Sequence, residues 1–465
     1  MGNEEKGKKM KRLFWTWDHS TNWIDNVPGS QEMGVANLYG KDPDWFMTDY
    51  ETAIDWAAEH GIDAIGVVGL LRERHRGVDG ARRICAYARE KGLRIYLIAG
   101  VYAYGGVFYE PYRKDDPHSL EVFLRDNPDC MALDKAGKPL YRQFKIPGGH
   151  KRDAQGCPSN PKLRQFVLDC VDWVFKAIPE LGGVQMETGD VGTCQCERCR
   201  ARRGGRPAGS ISLEDMAGIY PAIGEIVRAR SSDAWVICET YHHFLDDACA
   251  AFDPAKNPSK DLANLLSMPA DTFFQWKCDR RLRGVKGQSW PKGSRVPASL
   301  ARFRHIMRAH TGTQWWGGRD SFEPELIRRQ CELSADAGLT AVSMFGETSP
   351  HRANAEFNYL ALDYFATDPS RTMDGFVRDV MAPRLGGETA AGRYAELAVL
   401  KDEPRKIPAA LDEIARIVAG ISDYRALSRW FFLADYLGIR RWEAEQRAKE
   451  RQGGSNDAKA IEDLI

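Results

Sequence analysis

The chain has 465 residues with 65 basic and 65 acidic side chains, so its formal net charge is zero. That balance gives no global reason to bind nucleic acid or a membrane surface. An apolar content of 43%, without any run of about 18 apolar residues, describes a globular protein with no membrane-spanning helix. The first ten residues are polar and basic and lack the apolar core of a signal peptide. As written the chain reads as cytoplasmic, or as secreted or periplasmic if a leader was removed. Eleven cysteines, most of them single within expected strands and helices, favour reduced thiols over a disulfide framework. Nothing in the sequence sets the oligomeric state.

After a polar tail over residues 1–11, short apolar runs alternate with amphipathic stretches through residue 368. Parallel strands covered on both faces read as continuous apolar runs. Eight runs qualify, at 13–17, 64–68, 95–101, 183–186, 235–238, 272–276, 313–316 and 342–345. Gly61, Gly92 and Gly338 each precede an apolar residue and stop a helix before the next strand. Thr48 and Glu51 have the spacing of a capping box, and Ser321 before Pro324 and Glu325 marks another helix start. Eight alternating units predict a closed (β/α)8 barrel over residues 12–368. Its third loop, residues 102–160, is far longer than ordinary connections and rich in tyrosine, which predicts an ordered excursion over the barrel mouth. Beyond residue 368 strand signals vanish. Helices are expected at 373–381, 390–401, 407–421 and 426–450, forming a C-terminal α-helical appendage over 369–465.

Barrel enzymes gather their chemistry where strands end and βα loops begin. Those points carry Trp17-Asp18, Glu187 with Asp190, Glu239 before Tyr241-His242-His243, Trp276-Lys277, Trp315-Trp316 before Arg319, and Glu347. Two carboxyl groups flanking one bond, with aromatic platforms and donors for hydroxyls, are what glycoside hydrolysis needs. Asp18, Trp17, Tyr102, Tyr241, His242, Trp276, Trp316 and Arg319 are the residues expected to touch substrate. Asp18 equally suits a structural acceptor in the first loop, and Trp276 and Trp316 equally suit barrel core. No His-x-x-x-His or carboxylate–His metal spacing appears, so no catalytic metal or cofactor is expected. Arg280, Arg281, Arg283, Lys286, Lys292 and Arg295 form either a solvated loop or a site for an anionic sugar.

The run Gly183-Val184-Gln185-Met186-Glu187-Thr188-Gly189-Asp190-Val191-Gly192, followed by Cys194-x-Cys196-x-x-Cys199, resembles the fourth-strand signature of barrels related to glycoside hydrolase family 20 and the α-glucuronidases. Asp134-Lys135-Ala136-Gly137-Lys138 with Cys157-Pro158-Ser159-Asn160-Pro161, and Glu356-Phe357-Asn358-Tyr359-Leu360, resemble further segments of such proteins. The resemblance implies polysaccharide degradation on a carbohydrate substrate. Family 20 has adjacent Asp-Glu at the fourth strand, whereas Glu187 and Asp190 are separated by two residues. Acetamide-assisted catalysis therefore does not carry over.

Read from the residues, Glu187 protonates the leaving oxygen, Glu239 or Glu347 acts as nucleophile or as base for water, and Asp190 orients Glu187 or takes its place. Two alternatives stay open: a non-catalytic carbohydrate-binding barrel, and a lyase or isomerase with His242 or His243 as base. Cys157, Cys194, Cys196 and Cys199 sit on neighbouring βα loops. They are either reduced thiols beside a basic segment or four ligands of a structural zinc.

Overall fold

The computed structural model describes residues 9–18, 21, 23, 43–109, 115–146, 149–187, 193–204, 213–240, 245, 260–278, 282–284, 293–312 and 320–451. Its strands, in chain order, are β1 (Lys11–Trp17), β2 (Ala64–Val68), β3 (Arg94–Gly100), β4 (Tyr141–Ile146), β5 (Gly149–Ala154), β6 (Gly183–Glu187), β7 (Trp235–Glu239), β8 (Phe273–Lys277), β9 (Arg304–Arg308) and β10 (Ala341–Phe345). Eight of them close into a barrel in the order β1-β10-β9-β8-β7-β6-β3-β2, every neighbouring pair parallel. The expected (β/α)8 barrel is therefore the observed fold, with C-terminal helices following it.

Alternation along each strand sorts the side chains into two shells. Leu13, Trp15 and Trp17 of β1 point inward and meet Tyr96, Ile98, Trp235, Ile237, Phe273, Ile306 and Phe345. Phe14, Val67, Leu97, Met186, Phe274 and Met307 point outward into the helix layer. Gly66 is a packing necessity, because a Cβ there would lie 2.2 Å from the Tyr96 ring that crosses the interior. Gly61, Gly92 and Gly338 all adopt the left-handed backbone expected of them.

One strand was misplaced by the apolar-run criterion. The seventh barrel strand is Arg304–Arg308, and the expected run at 313–316 lies outside the described residues. Two arginines and a histidine among five residues hide β9 from a search for apolar runs. The capping expectation at Thr48 also fails. The helix already begins at Pro43, and Thr48 sits inside it, its hydroxyl donating to the Asp44 carbonyl at 3.0 Å.

The excursion after β3 is ordered where it is described. It holds a 3-10 turn at Gly106–Phe108, a helix at Leu120–Asp126 and the antiparallel β4–β5 hairpin. After the barrel, helices at Glu388–Ala398, Ile407–Val418 and Tyr424–Arg451 follow the helix Ala353–Thr367, and the last of them packs on it. Tyr394 donates to Asn354 at 2.9 Å and Arg429 forks onto Glu356 at 2.6 and 2.7 Å. Among the described residues no helix is long and apolar enough to cross a membrane.

β9 also buries a histidine behind the barrel wall. Trp276 Nε1 donates to His305 Nδ1 at 3.1 Å, and His305 Nε2 lies 2.9 Å from the Leu300 carbonyl, so the Nε2-protonated neutral ring satisfies both. Burial lowers its pKa from 6.5 to about 4. The unfolded chain takes up this proton as pH falls through 6.5, while the folded chain resists until about 4. The stabilisation is thus complete above 6.5 and disappears toward 4, amounting to about 3 kcal/mol at most. Urea unfolding across that window should show a shallower loss of stability in His305→Gln than in the wild type. Parallel pH profiles for the two proteins would rule this out.

Candidate active site

Three glutamates stand at the carboxyl ends of the barrel strands. Met186 pairs with Cys238 in the β6–β7 register, so the next residues, Glu187 and Glu239, are side by side on strands about 4.8 Å apart. Both continue the inward-facing rows, Gly183-Gln185-Glu187 and Trp235-Ile237-Glu239. Glu347 lies two residues past the inward Phe345, and its Oε1 accepts the Trp17 backbone N–H at 2.8 Å. Glu187 retains 7% exposure, Glu239 1% and Glu347 none.

The residue that organises this group was not anticipated. Arg308, inward at the end of β9, forms a salt bridge with Glu239 inside the barrel. Its guanidinium also stacks over Trp15, 4.0 Å from the ring centroid, and lies 3.4 Å from His310 Nε2. An arginine over an indole face gains a cation–π attraction that strengthens as water is removed. The contact favours the carboxylate form of Glu239.

Glu187 has a different neighbour. The Tyr109 hydroxyl donates to Glu187 Oε2 at 2.7 Å. Burial first, and then the charge of Glu187, keep that phenol protonated well above its ordinary pKa. Tyr109 reaches the carboxylate from the start of the excursion through a strained backbone: Tyr104 and Tyr109 both have positive φ, 59° and 52°. Such residues cost on the order of 1–3 kcal/mol each unless their surroundings hold them. Here the two rings stack at 4.8 Å, Tyr104 N–H donates to Asp153 at 3.0 Å, and Arg72 donates to the Tyr109 carbonyl at 2.7 Å. Arg72 is itself held by Asp18 at 2.9 Å, and Asp18 meets His75 Nε2 at 2.5 Å, all three fully buried.

These contacts settle several expected positions. Asp18 takes its structural alternative: it is engaged by Arg72 and His75 and presents no surface to a substrate. Trp17 does sit at the top of the interior, its ring edge-on to Tyr109 at 5.4 Å. Trp276 is corrected, because it alternates with inward Gln275 and packs outward beside His305. Tyr102 is corrected likewise: it is buried in the outer shell, and its carbonyl accepts Gly156 N–H at 2.7 Å. Asp190, Tyr241, His242, Trp316 and Arg319 lie outside the described residues. Tyr109 was visible only as one aromatic among many in the long loop. Arg308 would have been found by reading β9 as an alternating strand.

Beside the mouth, Cys157 and the loop after β6 bring four sulfurs together. Cys157, Cys194, Cys196 and Cys199 offer ligand atoms all within 4.8 Å of one another, the set expected from loop adjacency.

No protein-family model and no curated protein matches the sequence. Among solved structures, an enzyme of glycoside hydrolase family 138 that targets pectin rhamnogalacturonan II aligns at TM-score 0.53 and 10% identity over 94% of this chain. The alignment covers 57% of that enzyme, so the chain spans little more than half its length. A β-galactosidase from the psychrophilic Marinomonas ef1 aligns at 0.46 and 11% identity, over 83% of this chain and 62% of its own. The maltogenic α-amylase AmyB from Thermotoga neapolitana aligns at 0.42 and 8%, over 77% and 76%. At such identities the first likeness establishes a shared fold, the (β/α)8 barrel, and nothing finer. The likeness to family 20 and the α-glucuronidases rests on the sequence segments alone.

Removing one partner of a buried ion pair strands the other, at a cost of about 3–5 kcal/mol. Arg308→Met and Glu239→Gln should each destabilise the protein, and the double variant should lose clearly less than the sum of the two. Additive losses in urea unfolding would show that the two side chains do not depend on each other.

Proposed function

We propose that this barrel hydrolyses a glycosidic bond, with Glu187 as proton donor and Glu239 as its ionised partner. The reading rests on one observation: two carboxyl groups on neighbouring strands have opposite surroundings. Glu239 has a guanidinium against it, which favours the carboxylate. Glu187 has a neutral phenol, aromatic walls and the Glu239 charge as neighbours, and the walls and the charge favour retention of its proton. Environments that push two titratable groups apart divide the labour of acid and base.

The chemistry then runs in two steps. Glu239 attacks the anomeric carbon while Glu187 gives its proton to the departing oxygen, breaking the glycosidic bond and leaving a glycosyl ester. Water, deprotonated by the Glu187 carboxylate, hydrolyses that ester, returning Glu239 as carboxylate and Glu187 as acid. Neighbouring strands favour the short carboxyl separation, about 5–5.5 Å, that belongs to this retaining course. Glu347, enclosed and tied to the Trp17 amide, supports the wall beside them. The substrate is a carbohydrate. An anionic sugar remains part of the proposal through the basic segment that follows β8, and a panel of neutral and uronic aryl glycosides tests it.

Glu187→Gln keeps shape but has no proton to give, so turnover on unactivated glycans should fall roughly 100- to 10,000-fold. The loss should shrink on aryl glycosides whose phenolate leaves unaided. Equal losses on both substrate types would remove Glu187 from the acid role. Product stereochemistry followed by NMR should show retention; inversion would reassign Glu239 from nucleophile to base.

Tyr109 supplies a pH test. Its donation stabilises ionised Glu187, so removing it in Tyr109→Phe should raise the Glu187 pKa. The basic limb of kcat/KM should move to higher pH in that variant. A basic limb that stays in place, or moves down, contradicts the assignment of that limb to Glu187.

A further inference from the structure

We propose that Cys157, Cys194, Cys196 and Cys199 form a structural zinc site that ties the excursion after β3 to the loop after β6. Cys157 Sγ lies 3.7 Å from Cys196 Sγ and 3.6 Å from both Cys199 Sγ and Cys194 Sγ. Four thiolates around zinc at about 2.3 Å stand about 3.8 Å apart along the edges of a tetrahedron. The observed separations match that edge and far exceed the about 2.05 Å of a disulfide. Cys85, Cys170 and Cys331 show the ordinary alternative, each packing as a small apolar side chain in the outer shell. The four clustered thiols instead converge on one point, with Ala132, Leu133 and Leu140 packed around them.

The groups next to the sulfurs are donors. Leu133 N–H points to Cys194 Sγ at 3.4 Å, Cys199 N–H to Cys196 Sγ at 3.4 Å, and Ser159 Oγ lies 3.0 Å from Cys199 Sγ. Thiolates accept such bonds, which hold the metal's ligands in place and spread their charge. Zinc with four thiolates carries a net double negative charge. Arg203, almost fully buried beside the cluster, donates to the Cys194 carbonyl at 2.7 Å and lies 3.5 Å from Asp215. On binding, four S–H protons pass to solvent, four Zn–S bonds form, and no redox change occurs. Four protein ligands leave no open position, so the site holds structure rather than performing catalysis.

Two loops meet there. Leu133 and Cys157 come from the excursion; Cys194, Cys196 and the helix Glu197–Arg202 come from the segment that follows Glu187. Gln195 N–H also donates to the Leu133 carbonyl at 2.7 Å, so the loops are already joined by backbone. The metal would lock that junction on the side of the mouth where the excursion also carries Tyr109.

The test uses the purified full chain. Elemental analysis should find about one zinc per chain, and X-ray absorption at the zinc edge should find four sulfurs near 2.3 Å, about the usual zinc–thiolate length. Cys157→Ser and Cys199→Ser should lose most of the metal, whereas Cys170→Ser and Cys331→Ala should keep it. Because a ligand variant can lose its metal simply by unfolding, the wild type is also titrated with an organomercurial in the presence of a zinc dye. Zinc release in step with four thiols supports the site. A folded chain without zinc, one carrying iron instead, or a disulfide between any two of the four overturns it.

Discussion

Arg308 and Glu239 place opposite charges inside a barrel whose interior is mostly apolar, with tryptophan, tyrosine, phenylalanine and isoleucine prominent. Each charge alone would cost several kcal/mol to bury, so neither residue is tolerable without the other. Their contact has a further effect one strand away. Glu187 stands beside a carboxyl group whose charged form is already favoured, and two ionised carboxyls that close repel strongly when water is scarce. On the proposed reading, one arginine on β9 thereby favours the protonated form of a glutamate on β6 that it need not touch. The proposed division into acid and nucleophile would then be a property of the set, with no single member carrying it.

The same logic extends outward from Tyr109. A phenol aimed at Glu187 is useful only if it stays aimed, and the left-handed backbone at Tyr104 and Tyr109 shows that local preference does not hold it there. The hold comes from Arg72, which bonds the Tyr109 carbonyl and is anchored by Asp18, with His75 stacked on Phe46 at 3.9 Å. The acid expected to face a sugar thus acts two contacts away, keeping the loop in the shape that presents Tyr109. Its partners mark Asp18 as architecture: Arg72 engages Oδ1 at 2.9 Å and His75 engages Oδ2 at 2.5 Å, so both carboxylate oxygens are committed to the scaffold.

How much of this the sequence revealed depends on the kind of signal each residue carries. Strands β2, β6, β7 and β10 are apolar runs, and such runs survive any loop arrangement, so the barrel and the three strand-end glutamates were legible. β9 was not, because Arg304, His305 and Arg308 break its run, and the tryptophan pair downstream offered a more apolar substitute. That error concealed Arg308 as well, since an arginine in a presumed loop carries no expectation of pointing into a core. Trp276 failed for a different reason: strand position was known, but not which parity faced inward, and a one-residue choice reverses every side chain. The cysteines could be grouped because loops on one barrel end are neighbours. Tyr109 could not be singled out, because its role depends on backbone dihedrals that no composition or spacing encodes.

A barrel supplies its catalytic groups from strand ends, which are rigid, and surrounds them with loops, which are not. The loop between β3 and the helix Pro161–Ala177 is long enough that its closure alone disfavours any one arrangement. This chain counters that entropy with cross-links spaced along the excursion: Tyr109 bound through Arg72 near its start, Asp153 to the Tyr104 amide, and Cys157 in the sulfur cluster at its end. Each joins the excursion to itself or to a neighbouring strand-end loop, and between them Glu121 accepts the Ala154 N–H at 3.2 Å and the Leu133 carbonyl accepts the Gln195 N–H at 2.7 Å. Order at the mouth is then inherited from the barrel through charge pairs and sulfur contacts. The position of the Tyr109 phenol against Glu187 follows from that inheritance.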